Sequence, residues 1–291
     1  FWLDVAEPEY SVYDFKNYRY QLGSVQEVGN IYPKYYLKAF YDGMTAEGDT
    51  MPISLIRSAW AGSAKYGALV WSGDIVSTFE CFRRQVQAGL NMAIAGIPWW
   101  TTDIGGFHGA RTDDPDFHRL YIRWFEYGCF CPVMRLHGNR NPQEGYGAEQ
   151  IGSGSDNEIW SFGDKAYEIS KKYIFLRERL RDYIRTQMKK AHEDGTPMMR
   201  PVFYDFPTDQ ESWNVEDAYL FGPDLYVAPV MEDHVTEREV YLPDGTAWFN
   251  AWTGEKYEGG QNVTVAAPLD TIPVFVKEGA DAEKLLNIFS E

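Results

Sequence analysis

Trp71-Ser72-Gly73-Asp74 and Trp99-Trp100-Thr101-Thr102-Asp103-Ile104-Gly105-Gly106-Phe107 are the two stretches that decide the fold of this chain. Each follows a short apolar run, residues 67–70 and 92–97, and leads through aromatic residues to a carboxylate. A buried strand with this ending places an acid at its C-terminal end, beside flat apolar side chains. In a barrel of alternating strands and helices, the C-terminal ends of the strands carry the catalytic groups. The sequence therefore favours an enzyme built on such a barrel.

Aromatic residues are frequent: 20 Tyr, 17 Phe and 10 Trp together make up 16% of the 291 residues. Core filling accounts for most of these rings, but not for the tryptophans grouped at the ends of predicted strands. Aromatic faces beside carboxylates suit a sugar, because its C–H face packs on a ring while its hydroxyl groups bond to charged oxygens. The pattern favours a carbohydrate-active enzyme.

The net charge is −16 at pH 7, and the isoelectric point is near 4.8. Nucleic acids and anionic membrane surfaces bind basic patches, so we expect neither as a partner. The sequence also has no run of about 18 apolar residues that would span a membrane. An oligosaccharide or a small neutral glycoside is compatible with this charge.

The three cysteines, Cys81, Cys129 and Cys131, form neither a disulfide framework nor a metal-binding pattern. On an extended segment the thiols of Cys129 and Cys131 would point to the same face, and we expect both to be buried. The five histidines are scattered, so we expect no metal and no cofactor. The low cysteine count fits a reducing compartment such as the cytoplasm, without fixing the location.

The order of the predicted elements indicates an α/β fold. Predicted strands cover residues 1–4, 53–56, 68–71, 92–97 and 129–134. Predicted helices cover residues 34–41, 78–88, 116–125 and 163–192, and a long loop covers residues 7–32. Strands that alternate with helices and end in polar residues are typical of the C-terminal part of a (β/α)8 TIM barrel, which we assign to residues 1–196.

The pattern changes after about residue 195, where short strands alternate with turns rich in Pro, Gly, Asp and Asn. The predicted strands here cover residues 202–204, 218–221, 225–230, 239–242, 247–251, 263–266 and 272–276. This spacing predicts a small antiparallel β-sandwich domain over residues 197–291.

Asp4 and Asp74 are the candidate catalytic residues, because each lies at the end of a predicted strand and near a tryptophan, Trp2 or Trp71. Hydrolysis of a glycosidic bond uses two carboxyl groups, one that attacks or activates water and one that protonates the leaving oxygen. An isolated Asp in a loop more often closes a turn or caps a helix. The strand-end position and the tryptophans favour the catalytic interpretation.

Arg57 and Arg135 also lie at predicted strand ends, and His137 shares a face with Arg135 if the segment is extended. Such arginines either pair with catalytic carboxylates or hold sugar hydroxyls. A salt bridge that closes the barrel is an equally good explanation. A single His of this kind is more often structural than a ligand.

Four segments resemble glycoside hydrolase family 31, in the family's order. Phe1-Trp2-Leu3-Asp4-Val5-Ala6-Glu7-Pro8 resembles its nucleophile motif. Residues 57–63 followed by 71–74 resemble its acid/base segment, and residues 96–107 and 135–137 resemble its remaining sugar-binding strand ends. Residues 221–230 are similar to the sandwich domain that follows the barrel in that family, so the resemblance covers essentially the whole chain.

The resemblance implies retaining hydrolysis of α-glycosides by double displacement, with Asp4 as the nucleophile and Asp74 as the acid and then the base. It implies a sugar subsite lined by Arg57, Trp71, Asp103, Phe107, Arg135 and His137. The forms Glu7-Pro8-Glu9 and Trp99–Asp103 look most like the α-xylosidase branch. An α-glucosidase, a transglycosylase that uses the same two acids, and a non-catalytic carbohydrate-binding relative remain alternatives.

Members of that family carry a sandwich domain and the first barrel strands ahead of the nucleophile. We therefore expect this chain to need the N-terminal half of the barrel, from a parent chain or from a second chain. Expressed alone, residues 1–291 are expected to be insoluble or inactive, because an open half-barrel exposes strand edges.

Overall fold

The structure is a computed structural model that describes residues 1–7, 11–141, 155–279 and 281–290. The strands of its first part are β1 (Trp2–Leu3), β2 (Arg19–Tyr20), β3 (Gly23–Ser24), β4 (Ser54–Ile56), β5 (Ala68–Trp71) and β6 (Trp100–Thr101). The helices there are α1 (Val12–Asn17), α2 (Val25–Val28), α3 (Tyr32–Ala46), α4 (Phe79–Ile94), α5 (Pro115–Cys129), α6 (Gly163–Arg179) and α7 (Arg181–Glu193). Short 3₁₀ helices cover Gly29–Ile31 and Ser63–Tyr66.

Four parallel strands form the sheet that positions the candidate site, in the order β1-β4-β5-β6. Leu3 pairs with Ile56, Ile56 with Val70, and Val70 with Trp100. Helices connect the strands, as a β/α barrel requires. Within the described residues β1 has β4 as its one neighbour, so β1 forms an edge of the sheet. The carboxyl ends of all four strands lie at the same edge of the sheet.

The predicted strand at residues 92–97 is wrong, because residues 92–94 belong to the end of helix α4. Phe82, Val86, Leu90 and Ala93 form the buried stripe of this helix at spacings of three and four residues. The helix then stops in a Schellman motif, in which the Ile97 amide donates to the Met92 carbonyl and Gly96 adopts a left-handed φ of 79°. A six-residue apolar run does not distinguish the end of a buried helix from a strand.

The predicted strand at residues 129–134 is also wrong, because helix α5 continues to Cys129. Arg177 on α6 donates to the carbonyls of Cys129, Cys131 and Pro132, and so satisfies groups that the end of a helix leaves open. The extended segment that follows joins the sheet through one hydrogen bond, from the Val133 amide to the Trp100 carbonyl. The thiols of Cys129 and Cys131 are both buried, as expected.

Other differences concern the ends and interruptions of elements. The predicted loop at residues 7–32 contains α1, α2 and the antiparallel pair β2–β3, although residues 8–10 lie outside the described part of the chain. The predicted helix 163–192 is two helices, α6 and α7, which meet at the buried Leu180. The predicted helices at 34–41, 78–88 and 116–125 are confirmed and extend further than expected.

The C-terminal part is an antiparallel β structure. Its strands are β7 (Met199–Arg200), β8 (Tyr219–Phe221), β9 (Leu225–Val227), β10 (Glu237–Leu242), β11 (Ala247–Asn250), β12 (Lys256–Glu258), β13 (Gln261–Ala266) and β14 (Val274–Lys277). Its helices are α8 (Val202–Asp205) and α9 (Ala282–Ser290), with a 3₁₀ helix at Glu211–Trp213. One sheet has the order β12-β11-β14-β9-β8-β7, and the other pairs β10 with β13.

The two sheets share one apolar core, as in a sandwich. Val240 and Val265 of the pair β10–β13 pack in the same cluster as Tyr226, Trp248 and Phe275 of the larger sheet. The expected sandwich is therefore confirmed. The predicted strand at residues 202–204 is wrong, because Pro201 precedes a short helix there and the strand lies just before it, at Met199–Arg200.

A buried arginine joins the two parts of the chain. Arg123 on α5 is 2% exposed and donates to the carbonyls of Ala267 at 2.7 Å and Pro268 at 3.0 Å, beyond strand β13. It also pairs at 3.2 Å with Glu126, which is fully buried. Tyr219 of β8 donates to the Phe130 carbonyl at 3.0 Å. The sandwich thus holds helix α5 and the segment that leads to Arg135. None of the helices in the described residues is long and apolar enough to span a membrane.

Candidate active site

Asp4, Arg57 and Asp74 converge at the carboxyl end of the parallel sheet. The Nη1 atom of Arg57 lies 3.5 Å from Asp4 Oδ1 and 3.8 Å from Asp74 Oδ2. The two carboxylate oxygens are therefore separated by no more than the sum of these distances, a limit that includes the ~5–5.5 Å separation used in retaining glycoside hydrolysis. The structure brings the two candidate acids together across one guanidinium.

The backbone turns sharply immediately after Asp4. Val5 has a φ of 52°, in the left-handed region that a β-branched residue rarely adopts, and the Val5 amide donates to Asp4 Oδ1 at 2.9 Å. Such a conformation costs on the order of 1–3 kcal/mol and persists where the surroundings impose it. The turn directs the Asp4 carboxylate and the following residues back toward Arg57.

Glu7, which the sequence prediction did not place in the site, also pairs with Arg57. Its Oε1 atom accepts a short hydrogen bond from Arg57 Nη2. This bond raises the pKa of Arg57, and the charges of Glu7, Asp4 and Asp74 add to the effect. The Arg57 side chain is 14% exposed, and the carboxylates of Glu7, Asp4 and Asp74 around it balance its charge.

A wall of aromatic rings lies beside the carboxylates. The ring centroid of Trp2 is 6.2 Å from that of Trp71 and 5.3 Å from that of His137, both in edge-to-face geometry. Phe107 stacks on His137 with centroids 5.4 Å apart. Arg135 lies over Trp2 and Trp71, with its Cζ atom 5.8 and 5.7 Å from the ring centroids. These flat faces can pack against the C–H face of a sugar.

Asp103 lies two residues after the end of β6 and is fully buried, and Arg135 donates to its Oδ1 atom. Burial raises the pKa of Asp103 to about 7, and the Arg135 charge opposes this rise. Its Oδ2 atom has no hydrogen-bond partner among the described residues. Arg135 therefore holds the buried Asp103 carboxylate by one of its two oxygens.

The turn after Asp103 is held by Arg140, a buried residue that is also absent from the sequence prediction. Its guanidinium donates to the Gly106 carbonyl at 2.8 Å and the Ile104 carbonyl at 3.2 Å, and lies 4.7 Å from the Phe117 ring centroid. Gly106 has a φ of 79°, and a Cβ there would lie 2.7 Å from the Ser77 Cα. A glycine is therefore required at this position.

His137 lies between the rings of Trp2 and Phe107. Burial lowers the pKa of its imidazole, and Arg135 lowers it further, while Asp74 and Asp4 act in the opposite direction. The neutral imidazole is favoured near pH 7. It can exchange one hydrogen bond as donor and another as acceptor with a bound hydroxyl group.

The structure thus places all eight predicted site residues at one end of the sheet. They are Asp4, Arg57, Trp71, Asp74, Asp103, Phe107, Arg135 and His137. The Asp4 and Asp74 side chains are 45% and 46% exposed, so both carboxylates are accessible to solvent in the described part of the chain. Two cavities, of about 540 and 640 Å³, lie elsewhere, beside Phe1 and beside Trp99. In the part of the chain that the structure describes, no three His, Cys, Asp or Glu side chains are grouped as a metal site requires.

Two carboxylates at the strand ends of a β/α sheet, beside a wall of tryptophan, are the arrangement that barrel-type glycoside hydrolases use. Residues 1–187 match the glycosyl hydrolases family 31 TIM-barrel domain, and residues 195–280 match the glycosyl hydrolase family 31 C-terminal domain. The chain therefore belongs to glycoside hydrolase family 31, and the expected fold class is confirmed.

Solved structures and curated proteins include close relatives. The chain is 56% identical to a family 31 α-xylosidase from a soil metagenome, solved with xylose, with a TM-score of 0.91 over 98% of this chain and 43% of that one. It is 36% identical to an α-xylosidase of Saccharolobus solfataricus, over 96% of this chain and 37% of the relative. A Flavobacterium johnsoniae dextranase solved with glucose is 34% identical, with a TM-score of 0.85 over 96% of this chain and 34% of that one. The chain spans less than half the length of each of these relatives.

Proposed function

We propose that this chain supplies both catalytic acids of a retaining α-glycosidase that acts on terminal α-xylosyl residues. The observation that carries the proposal is the position of Asp4 and Asp74 on either side of Arg57 Nη1, at 3.5 and 3.8 Å. A retaining glycosidase needs two carboxyl groups at this kind of separation, one to attack and one to transfer protons.

In the proposed first step, Asp4 attacks the anomeric carbon and forms a glycosyl-enzyme, while Asp74 gives its proton to the departing oxygen. In the second step, the Asp74 carboxylate takes a proton from water, and this water attacks the anomeric carbon and releases Asp4. Two inversions return the sugar in its original α configuration.

The remaining site residues would bind the sugar that is transferred. Asp103 Oδ2 is a buried acceptor without a partner in the described chain, and Arg135 offers charged donors beside it. Trp71 and Phe107 offer flat apolar faces next to these polar groups. We assign hydroxyl binding to Asp103, Arg57, Arg135 and His137, and stacking to Trp71 and Phe107.

The choice of xylose follows from the relatives. The soil-metagenome α-xylosidase is the most similar of the three relatives described above, and its structure contains xylose. The dextranase solved with glucose supports an α-glucosidase as the second candidate. The two sugars differ at C5, where glucose carries a hydroxymethyl group that xylose lacks.

We propose to test this function with the N-terminal half of the barrel supplied by a relative. We define the completed chain as residues 1–291 fused behind the part of the soil-metagenome α-xylosidase that precedes its matched region. The expected result is a kcat/KM at least about 10-fold higher for 4-nitrophenyl α-xyloside than for 4-nitrophenyl α-glucoside, since one substituent in a fitted pocket changes the barrier by ~1–3 kcal/mol. An inverse ratio would replace the xylosyl assignment with the glucosyl one.

Transglycosylation is tested in the same assay. An added sugar acceptor would divert the glycosyl-enzyme to a disaccharide if an acceptor subsite excludes water. We expect free xylose as the main product. Soluble, folded protein that binds xylose but turns over neither substrate would support a non-catalytic carbohydrate-binding protein instead.

A further inference from the structure

Glu7 shares one guanidinium with both candidate catalytic acids. Arg57 Nη2 donates to Glu7 Oε1, while Arg57 Nη1 faces Asp4 and Asp74. The Glu7 side chain is 29% exposed, and its Oε2 atom is buried without a hydrogen-bond partner among the described residues. The pair with Arg57 is therefore the contact that fixes this carboxylate.

Arg57 lies at different distances from the carboxylates of Glu7, Asp4 and Asp74. The distances to Asp4 and Asp74, 3.5 and 3.8 Å, exceed the ~2.7–3.2 Å of an N–H···O hydrogen bond, whereas Glu7 Oε1 accepts a hydrogen bond from Arg57 Nη2. Arg57 therefore stabilises both acids through its charge but is hydrogen-bonded to Glu7.

The proposed roles of Asp4 as nucleophile and Asp74 as general acid both require that Arg57 makes no direct hydrogen bond to them. A carboxylate that accepts a direct bond from a guanidinium is a weaker nucleophile, because its lone pair is occupied and its charge is neutralised. A carboxyl group in such a pair also loses its proton more readily, which removes the general acid. Arg57 in direct contact with Asp4 or Asp74 would impair one of the two steps.

The backbone shows how Glu7 reaches this position. The left-handed turn at Val5 reverses the chain just after Asp4, and the parallel pairing of Leu3 with Ile56 sets Arg57 beside it. The turn at Val5 thus places Asp4 near the Nη1 atom of Arg57 and Glu7 at its Nη2 atom.

We propose that Glu7 is a positioning residue that holds Arg57 away from Asp4 and Asp74, so that Asp4 can attack and Asp74 can carry its proton. This inference rests on the proposed glycosidase function. In Glu7→Gln the side chain that holds Arg57 loses its negative charge, and Arg57 is expected to move toward Asp4 and Asp74.

Other charged or titratable groups face this cluster from neighbouring elements of the described chain. They are Asp103 after β6, and Arg135, His137 and Arg140 on the segment after α5. All four are unchanged in the Glu7 variants, so their effects are the same in every protein compared.

The experiment is the pH dependence of kcat/KM for 4-nitrophenyl α-xyloside in the completed chain, with Glu7→Gln, Glu7→Asp and a control. The control is Glu80→Gln, which removes an exposed glutamate paired with Arg84 on the surface of α4. We expect Glu7→Gln to lower the maximum rate about 10-fold or more and to shift both limbs of the profile to lower pH by about one unit. Glu7→Asp retains the negative charge. Its pH limbs should therefore lie close to those of the unsubstituted protein, while its maximum rate should recover less completely. Glu80→Gln should match the unsubstituted protein.

Each result decides a specific point. A lower rate with unmoved limbs in Glu7→Gln, or limbs that Glu7→Asp does not restore, would overturn the positioning role while leaving the proposed function intact. Folded protein without turnover before any substitution would overturn both. If thermal denaturation shows that Glu7→Gln is not folded, the pH profile of Glu7→Asp decides the question. Its two limbs are expected within about half a pH unit of those of the unsubstituted protein.

Discussion

Replacing Asp74 with alanine separates its proposed role in catalysis from any role in stability. The Asp74 side chain is 46% exposed, and its ion-pair contact with Arg57 in the described residues is 3.8 Å long. An exposed pair of this kind contributes about 0–1 kcal/mol to folding. A general acid contributes about 10²–10⁴ in rate, or roughly 3–5 kcal/mol of activation free energy. The catalytic effect should therefore exceed the structural one several-fold.

The size of the loss should depend on the leaving group. For a natural xyloside with a basic leaving oxygen, Asp74→Ala in the completed chain should lose about 10²–10⁴ of kcat/KM. A 2,4-dinitrophenyl leaving group departs without a proton, so its kcat/KM should fall far less. The second step, which lacks its base, then limits kcat, and azide should restore kcat because it attacks without giving up a proton.

The assay combines steady-state kinetics on both substrates with identification of the azide product. A matched control is Asp42→Ala, because the Asp42 side chain is 54% exposed and pairs with a neighbouring cation, Lys38, on α3. Its activity and melting temperature should resemble those of the unsubstituted protein. An α-configured xylosyl azide is expected, since azide replaces water on the glycosyl-enzyme. Unreduced activity of Asp74→Ala on the natural xyloside, or a β-configured azide, would refute the assignment of Asp74.

Three further predictions follow from the same structure. Asp4→Asn in the completed chain should nearly abolish turnover of every substrate, including the 2,4-dinitrophenyl xyloside, and azide should not restore it. A measurable burst of product in this variant would exclude Asp4 as the nucleophile. Burial raises the pKa of Glu126 from 4.5 to about 8, so the folded state binds more protons between these values and the free energy of unfolding should fall as pH rises from 5 to 8, by up to about 1.4 kcal/mol per unit. Urea denaturation should show a smaller fall in Glu126→Gln, and a slope equal to that of the unsubstituted protein would contradict the raised pKa of Glu126. Residues 1–291 alone should be insoluble or inactive, whereas the completed chain should be soluble by size-exclusion chromatography; an active monomer of 291 residues would disprove this need.

The sequence was most informative where a strand ends in polar residues. Ile56 and Trp71 end strands as predicted, and β1 ends at Leu3, one residue before the predicted end. The acids and the arginine that follow these strands meet in the structure. Parallel pairing carries this information, because it aligns the carboxyl ends of strands that are far apart in the chain. The predicted closeness of Asp4 and Asp74 therefore needed no knowledge of the loops.

Short apolar runs were the weakest signal. Residues 92–97 and 129–134 end or follow buried helices, and burial on all sides hides the helical period in so short a window. Gly96, which stops α4, was the available sign of a helix end at the first of them.

The two supporting residues of the site could be found only partly. Glu7 was visible as an acid shortly after the proposed nucleophile, but its contact with Arg57 depends on the left-handed turn at Val5. A valine rarely adopts this conformation, so the sequence does not predict the turn. Arg140 stands in a polar stretch without periodicity, and its bonds to the carbonyls of Ile104 and Gly106 arise from tertiary structure alone. Side chains that position others act through such contacts and leave little trace in sequence.

Strand β1 has a free edge in the described part of the chain, and the proposed nucleophile follows it directly. A strand added along that edge would bond to the backbone of Trp2 and Leu3, and a slip of one residue would exchange its inward and outward faces. Product formation would then report whether two fragments have docked in the correct alignment. Residues 1–291 and a separately expressed N-terminal fragment of a relative thus offer a split enzyme, in which complementary halves can be selected by growth on a glycoside.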